Sequence, residues 1–117
     1  MKVLILKKRK DFIRAANGIK SVVSGLILQA AQNLSCPDDD IYFLGYTATK
    51  KIGKAHLRNR TKRRLRAAAA QVFPLNAKKG ISYVLIGRYN TATIPFETLK
   101  SNMLKALQSV NKQMDQE

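Results

Sequence analysis

A single cysteine, Cys36, a single histidine, His56, and no tryptophan occur in this chain, and acidic side chains are scarce, seven against 22 lysines and arginines. Each shortage excludes something. One cysteine permits no intrachain disulfide, which makes a reducing compartment the natural setting. Cys36 lies in the turn-like segment NLSCPDDD with no histidine or second cysteine nearby, so the chain offers no thiolate-based ligand set. Asp38, Asp39 and Asp40 adjoin one another in the same loop. Hard cations want several converging oxygens, and three adjacent acids without further ligands read as a solvated turn. An independent nuclease needs a general acid and base, or carboxylates that hold metal ions. Neither is supplied here, so no catalytic and no metal-ligating residues are expected.

Long hydrophobic runs are missing too. No segment approaches the roughly 20 apolar residues that span a bilayer. Val3–Leu6 is a short apolar run followed directly by the basic Lys7–Lys10, which does not match a signal peptide. An interfacial helix would use Trp or Phe anchors, and the main basic run has neither. A soluble, cytoplasmic protein without membrane contact is expected. At 117 residues and 45% hydrophobic content, with the apolar residues in separate periodic runs, the chain fits one folded domain over 1–117.

What the chain has in excess is positive charge, +15 formally. Self-repulsion of that size opposes folding and is tolerated where a polyanion neutralises it. The charge is concentrated: Lys50–Arg66, KKIGKAHLRNRTKRRLR, holds nine of the 22 basic residues, and no acid lies between Ile41 and Phe96. Ordinary charged surfaces intersperse both signs, so a run of this kind points to nucleic acid. Arg offers a planar fork that fits phosphate bidentately and stacks on bases, Lys a compact charge, and Asn59 in their midst can read a base edge or a backbone group. His56, at the start of the same segment, is suited to stacking on a base, bonding a phosphate or facing solvent.

The periodicity places this run on a helix. From Ala55 to about Phe73, Leu57, Thr61, Leu65, Ala68 and Val72 form one stripe, which must face a core. Arg58, Lys62 and Arg66 line one border, Arg60 and Arg64 lie beyond the other, and Asn59 and Arg63 are further round. Pro74 ends the helix. Ahead of it, Ile41–Thr49 alternates as a strand with Gly45 at its centre, a position that allows a large group to approach closely. Val22–Ala31 reads as a strand with a bulge or bend at Ser24-Gly25. The acidic turn after it, Gln32–Asp40, is expected to close a hairpin. Asp11 is a plausible N-cap for a short first helix carrying Phe12, Ile13, Ala15 and Ala16, stopped by Gly18. Ile81–Tyr89 reads as a central strand. Pro95 and Glu97 suit the first turn of a last helix with Phe96, Leu99, Met103, Leu107 and Val110 as its buried stripe, fraying over 113–117. The fold class is α+β, a two-layer sandwich of a small mixed sheet and helices, in an order of roughly αβββαβα. If the strands flanking the basic helix are parallel neighbours, the usual connection is right-handed.

The segment GYTATKKIGKAHLRNRTKRRLR resembles the signature of the bacterial ribonuclease P protein component. In that family a strand ends in a Gly-rich, Lys-Lys turn and enters a helix bearing Arg-Asn-Arg, Lys-Arg and a further Arg, here Lys50, Lys51, Gly53, Arg58, Asn59, Arg60, Lys62, Arg63 and Arg66. The resemblance extends to Asp11-Phe12, to the strands around Leu26–Gln29 and Tyr83–Arg88, and to the last helix. It implies an accessory subunit of an endoribonuclease whose catalyst is RNA, removing the 5′ leader of precursor tRNA with Mg²⁺ bound mainly by the RNA and none by the protein alone. The implied partners are the catalytic RNA and precursor tRNA, with no obligate protein partner. Carried over, Arg58, Asn59, Arg60, Lys62, Arg63 and Arg66 contact the RNA subunit, Lys50, Lys51 and Lys54 extend that surface, and Phe12 is the leader-cleft candidate. The resemblance also implies a left-handed β-α-β crossover around the basic helix, against the usual hand. Three departures stand out: Ala16, with Gln29 and Ala30, where family members often carry aromatics; Lys54 where the family usually has Asn; and His56 in place of a small aliphatic residue. A non-catalytic RNA-binding protein, ribosomal or chaperone-like, explains the charge equally well but not the ordered signature.

Overall fold

In the computed structural model, which describes residues 1–35 and 40–116, one five-stranded mixed sheet carries three helices. The elements are β1 (Lys2–Ile5), α1 (Arg9–Ala16), β2 (Ile19–Val23), β3 (Leu26–Gln32), β4 (Ile41–Thr47), α2 (Ala55–Val72), β5 (Ile81–Gly87) and α3 (Phe96–Asp115). Across the sheet the strands run β1-β4-β5-β3-β2. β4 runs parallel to both of its neighbours, β1 and β5, while β3 is antiparallel to β5 and β2 to β3. The αβββαβα order is present with one more strand in front. The parallel β4–α2–β5 unit holds the basic helix.

Several expectations are corrected. β1 was not foreseen as a strand: all four of its residues are exposed, so no alternation marks it, and it forms by pairing Lys2–Ile5 with Ile41–Leu44. The stretch 22–31 is two strands, because Ser24 and Gly25 form a two-residue connection that pairs Val23 with Leu26. Gly25 has φ +97° while Ser24 keeps a negative φ, and a positive dihedral at the second central residue of a turn calls for glycine. The acidic turn closes no hairpin, since β5 lies between β3 and β4. Residues 36–39, and with them the readings of Cys36, Asp38 and Asp39, fall outside the described residues. Asp11 sits inside the first turn of α1, with Lys8 at the N-cap, where it still complements the helix dipole. Asn17 is the C-cap, its side chain donating to Ile13 O at 3.0 Å. α3 continues as helix to Asp115, which pairs with Lys78.

One sheet face carries the main core. Leu28, Tyr83 and Leu85 meet Leu65 of α2 and Leu99, Met103 and Leu107 of α3, all fully buried. Each full leucine burial contributes about 1.5 to 3 kcal/mol. Tyr42, Phe73 and Tyr83 close this core at one end, with the Phe73 and Tyr83 rings edge to face at 5.2 Å. The Tyr83 hydroxyl donates to Asn111 Oδ1 and accepts from Lys78 N–H, so the phenol is satisfied inside. The opposite face is covered only in part, by α1, where Leu6, Ala15 and Val84 are buried together with Phe12, Phe43 and Ile86 beside them.

Candidate nucleic-acid interface

α2 lies close on the sheet because β5 ends in a glycine. A Cβ at Gly87 would stand 2.3 Å from Thr61 Cγ2, so the missing side chain is what admits the helix. Thr61, Leu65, Ala68 and Val72 are buried on its inner side and Leu57 is half-buried, as the spacing predicts, and Ala69 is buried with them. Gly53, at φ +129°, turns the chain between the short 3-10 segment Lys50–Ile52 and α2. Lys54 takes the N-cap position without a side-chain cap. From Arg58 to Arg66 the remaining circumference of the helix is cationic apart from Asn59.

The cations divide into two populations. Arg64 is spent on the fold: its two terminal nitrogens donate to Thr91 O and Ile94 O, each at 2.6 Å, and its guanidinium lies 6.0 Å from the Phe96 ring centroid. Burial, with the charge of Arg60 close by, lowers its pKa from the ordinary arginine value, though not so far that it loses its proton. Arg58 is half-buried and donates Nη1 to Gly53 O at 2.7 Å, tying the helix to the turn before it. Arg60 is exposed and donates Nε to Ala92 O at 3.1 Å. Arg66 is exposed, its guanidinium 5.4 Å from the Tyr46 ring centroid. Burial raises the Tyr46 pKa and Arg66 counters part of that rise. Lys50, Lys51, Lys54, His56, Asn59 and Arg63 are exposed, and Lys62 is half-buried. Among the described residues none of the nine cations of 50–66 has an ion-pair partner. The structure places the nine predicted residues on one turn and around the exposed circumference of the first half of α2, and Phe12 on a different surface.

That second surface is the α1 side of the sheet. Phe12 is half-buried over Gly45, where an added Cβ would lie 2.7 Å from two ring atoms. The glycine at the strand centre is therefore explained by the ring above it. Beyond α1 the sheet stays open. Thr47, Ile86, Ile27 and Val22 pair in register across four strands and by strand alternation share this face. The first three are half-buried and Val22 is 54% exposed. This strip was not singled out from the sequence, although the period-2 pattern of each strand would have placed it once the pairing was known. Ala16 and Gln29 leave Phe12 without a second aromatic from α1 or β3. Among the described residues no three His, Cys, Asp or Glu side chains stand together to hold a metal ion, and no helix is long and apolar enough to cross a membrane.

A family model described as Ribonuclease P matches residues 1–111. The chain belongs to the ribonuclease P protein family. The ribonuclease P protein component of Paramagnetospirillum magneticum is 47% identical over 107 residues, covering 90% of this chain and 80% of that protein. The component from Ruegeria pomeroyi is 38% identical over 110 residues, covering 93% and 87%. Among solved structures, the RNase P protein from Thermotoga maritima superposes with a TM-score of 0.72 at 25% identity, covering 92% of this chain and 97% of that one. A Staphylococcus aureus RNase P protein, at 22% identity and a TM-score of 0.70, shares the fold. Membership makes this chain a protein component of ribonuclease P, a ribonucleoprotein of tRNA processing, and so gives it an RNA partner. For a ribonuclease P protein, the acid-free face of α2 and the half-open sheet beside Phe12 are the two surfaces that remain to be assigned.

Proposed function

We propose that this ribonuclease P component binds the catalytic RNA through α2 and the 5′ leader of precursor tRNA along the α1 face of the sheet. The RNA cleaves the phosphodiester bond and the protein lowers the repulsion between the two polyanions. Lys50, Lys51, Lys54, Arg58, Asn59, Arg60, Lys62, Arg63 and Arg66 contact the RNA subunit. The observation that carries this reading is the exposed surface of 50–66, the first half of α2 and its preceding turn, which carries cations, no acid and no ion pair among the described residues. Phosphates neutralised there release counterions, which drives association. Phe12 stacks a leader base without selecting its identity, at about 1 to 3 kcal/mol per base, and the strip Thr47–Ile86–Ile27–Val22 forms the floor beside it. Mg²⁺ is held mainly by the RNA, whose phosphates are the hard oxygen donors it prefers.

The test incubates precursor tRNA at low Mg²⁺ with the protein alone, with the catalytic RNA alone and with both. Correct 5′ processing that requires both supports the reading. Cleavage by the protein alone would make it a nuclease in its own right, and no effect of the protein on processing would make it a structural RNA binder.

A further inference from the structure

Of the four tyrosines and four phenylalanines in the chain, Tyr42, Phe73 and Tyr83 are buried and Phe12, Phe43, Tyr46 and Phe96 half-buried. Tyr89 alone stands in solvent, 79% exposed. A single exposed apolar group is ordinary on a protein surface. Its mounting is not. The turn that carries Tyr89, between Arg88 and Ile94, is clamped between two elements, the β2–β3 hairpin and α2. Thr91 is fully buried, donates its hydroxyl to Gly25 O at 2.5 Å and accepts the Arg88 N–H at 2.7 Å. From α2, Arg64 holds the carbonyls of Thr91 and Ile94 and Arg60 that of Ala92. From the other side Arg88 donates Nη1 to Val23 O at 3.1 Å, and its guanidinium lies 5.8 Å from the Tyr89 ring centroid.

The ring is thus carried on fixed backbone with only two side-chain torsions left free, and a planar cation already sits beside it. Stacking a flat ligand on such a ring orders little that is not ordered already. Arg60 belongs both to the cationic face of α2 and to the clamp on this turn, so the two surfaces are continuous. Arg60 meets the turn at Ala92, three residues from Tyr89.

We propose that Tyr89 is a stacking platform for an unpaired nucleobase of RNA, with the remaining N–H groups of Arg88 directed to the adjacent phosphate. The proposal rests on the reading that α2 binds RNA. A π-face accepts any base, so the ligand class is a single-stranded ribonucleotide of unrestricted identity. Two RNAs carry such nucleotides, the catalytic RNA and the leader of precursor tRNA.

The experiment compares the unaltered protein with Tyr89→Ala, Tyr89→Phe and Arg58→Ala. Affinity is measured for the catalytic RNA and, in the assembled holoenzyme, for precursor and mature tRNA over a salt series. Tyr89→Ala is expected to weaken binding by about 5- to 150-fold, the equivalent of about 1 to 3 kcal/mol. Tyr89→Phe is expected to stay within about twofold because the ring is kept. The salt slope should not change, because no charge is lost. A loss on the catalytic RNA places the base there; a loss on precursor but not mature tRNA places it in the leader. Tyr89→Ala binding like the unaltered protein, or Tyr89→Phe falling as far as Tyr89→Ala, overturns the platform. If Arg58→Ala still weakens RNA binding in that case, the assignment of α2 stands without it. If the unaltered protein binds neither RNA, the assignment of α2 fails first.

Discussion

The ring of Phe12 rests on Gly45, where a Cβ would lie 2.7 Å from both Cε1 and Cζ. This contact joins α1 to the parallel half of the sheet and sets the height of the ring above β4. Gly45→Ala should force the ring outward at a cost of about 1 to 3 kcal/mol, the range for overpacking a well-filled site. The same change in a Phe12→Ala background should cost less, with a coupling of about 0.5 to 3 kcal/mol. Urea denaturation of the four proteins measures it, and strictly additive effects would mean that the two residues do not share this contact.

Phe12 also carries the proposed leader contact. In the holoenzyme, Phe12→Ala should lower affinity for precursor tRNA by about fivefold or more, as loss of one stacked base does, and leave mature tRNA unaffected. An equal loss on both substrates would assign Phe12 to the α1–sheet contact alone.

Arg63 and Arg64 adjoin in sequence but stand in different surroundings. Arg63 is exposed and Arg64 donates to two backbone carbonyls of the 91–94 turn. Arg64→Ala should destabilise the fold by about 2 to 4 kcal/mol, since charged hydrogen bonds are lost and their acceptors left unpaired. Arg63→Ala should change stability by less than about 0.5 kcal/mol. It should instead weaken binding to the catalytic RNA and reduce the salt slope by about 0.7 to 0.9, one phosphate contact. Thermal melts and a salt series on both variants separate the roles. An Arg63→Ala protein that assembles normally across the series would remove that position from the interface.

This division between the two arginines marks where sequence reasoning stops. The stripe of α2 is legible because 3.6-residue periodicity is local, and it correctly places Arg64 beyond the border of the core. The carbonyls Arg64 binds lie 27 and 30 residues away, and no local pattern announces them. β1 is hidden for the same reason: its four residues become a strand only by pairing with β4. The separation of β2 from β3 had a local signal in Ser24-Gly25, a turn dipeptide, which reads as a bend until the pairing of Val23 with Leu26 is seen. The expected hairpin across the acidic turn failed because β5, from much later in the chain, takes the place between β3 and β4. For the site, the charge and the Arg-Asn-Arg order were visible, while the floor beside Phe12 depends on the register of four strands.

The buried Tyr83 gives the fold a defined alkaline limit. Burial pushes its phenol up to about 12 from the ordinary 10.0, against the opposing hydrogen bond accepted from Lys78 N–H. Because the folded-state pKa is the higher one, the neutral phenol's contribution is intact below pH 10 and is lost as pH rises toward 12, where the unfolded chain is ionised and the folded chain is not yet. A shift of this size corresponds to about 2 to 3 kcal/mol across that window. Tyr83→Phe removes the titration along with two hydrogen bonds, so it should cost about 1 to 3 kcal/mol at pH 7. Its deficit against the unaltered protein should then shrink between pH 10 and 12, since lysine titration is common to both. Denaturant unfolding of the pair at pH 7, 10 and 11.5 measures the difference. A deficit that stays constant over the series would show that Tyr83 ionises equally in the folded and unfolded chain, in contradiction to its burial.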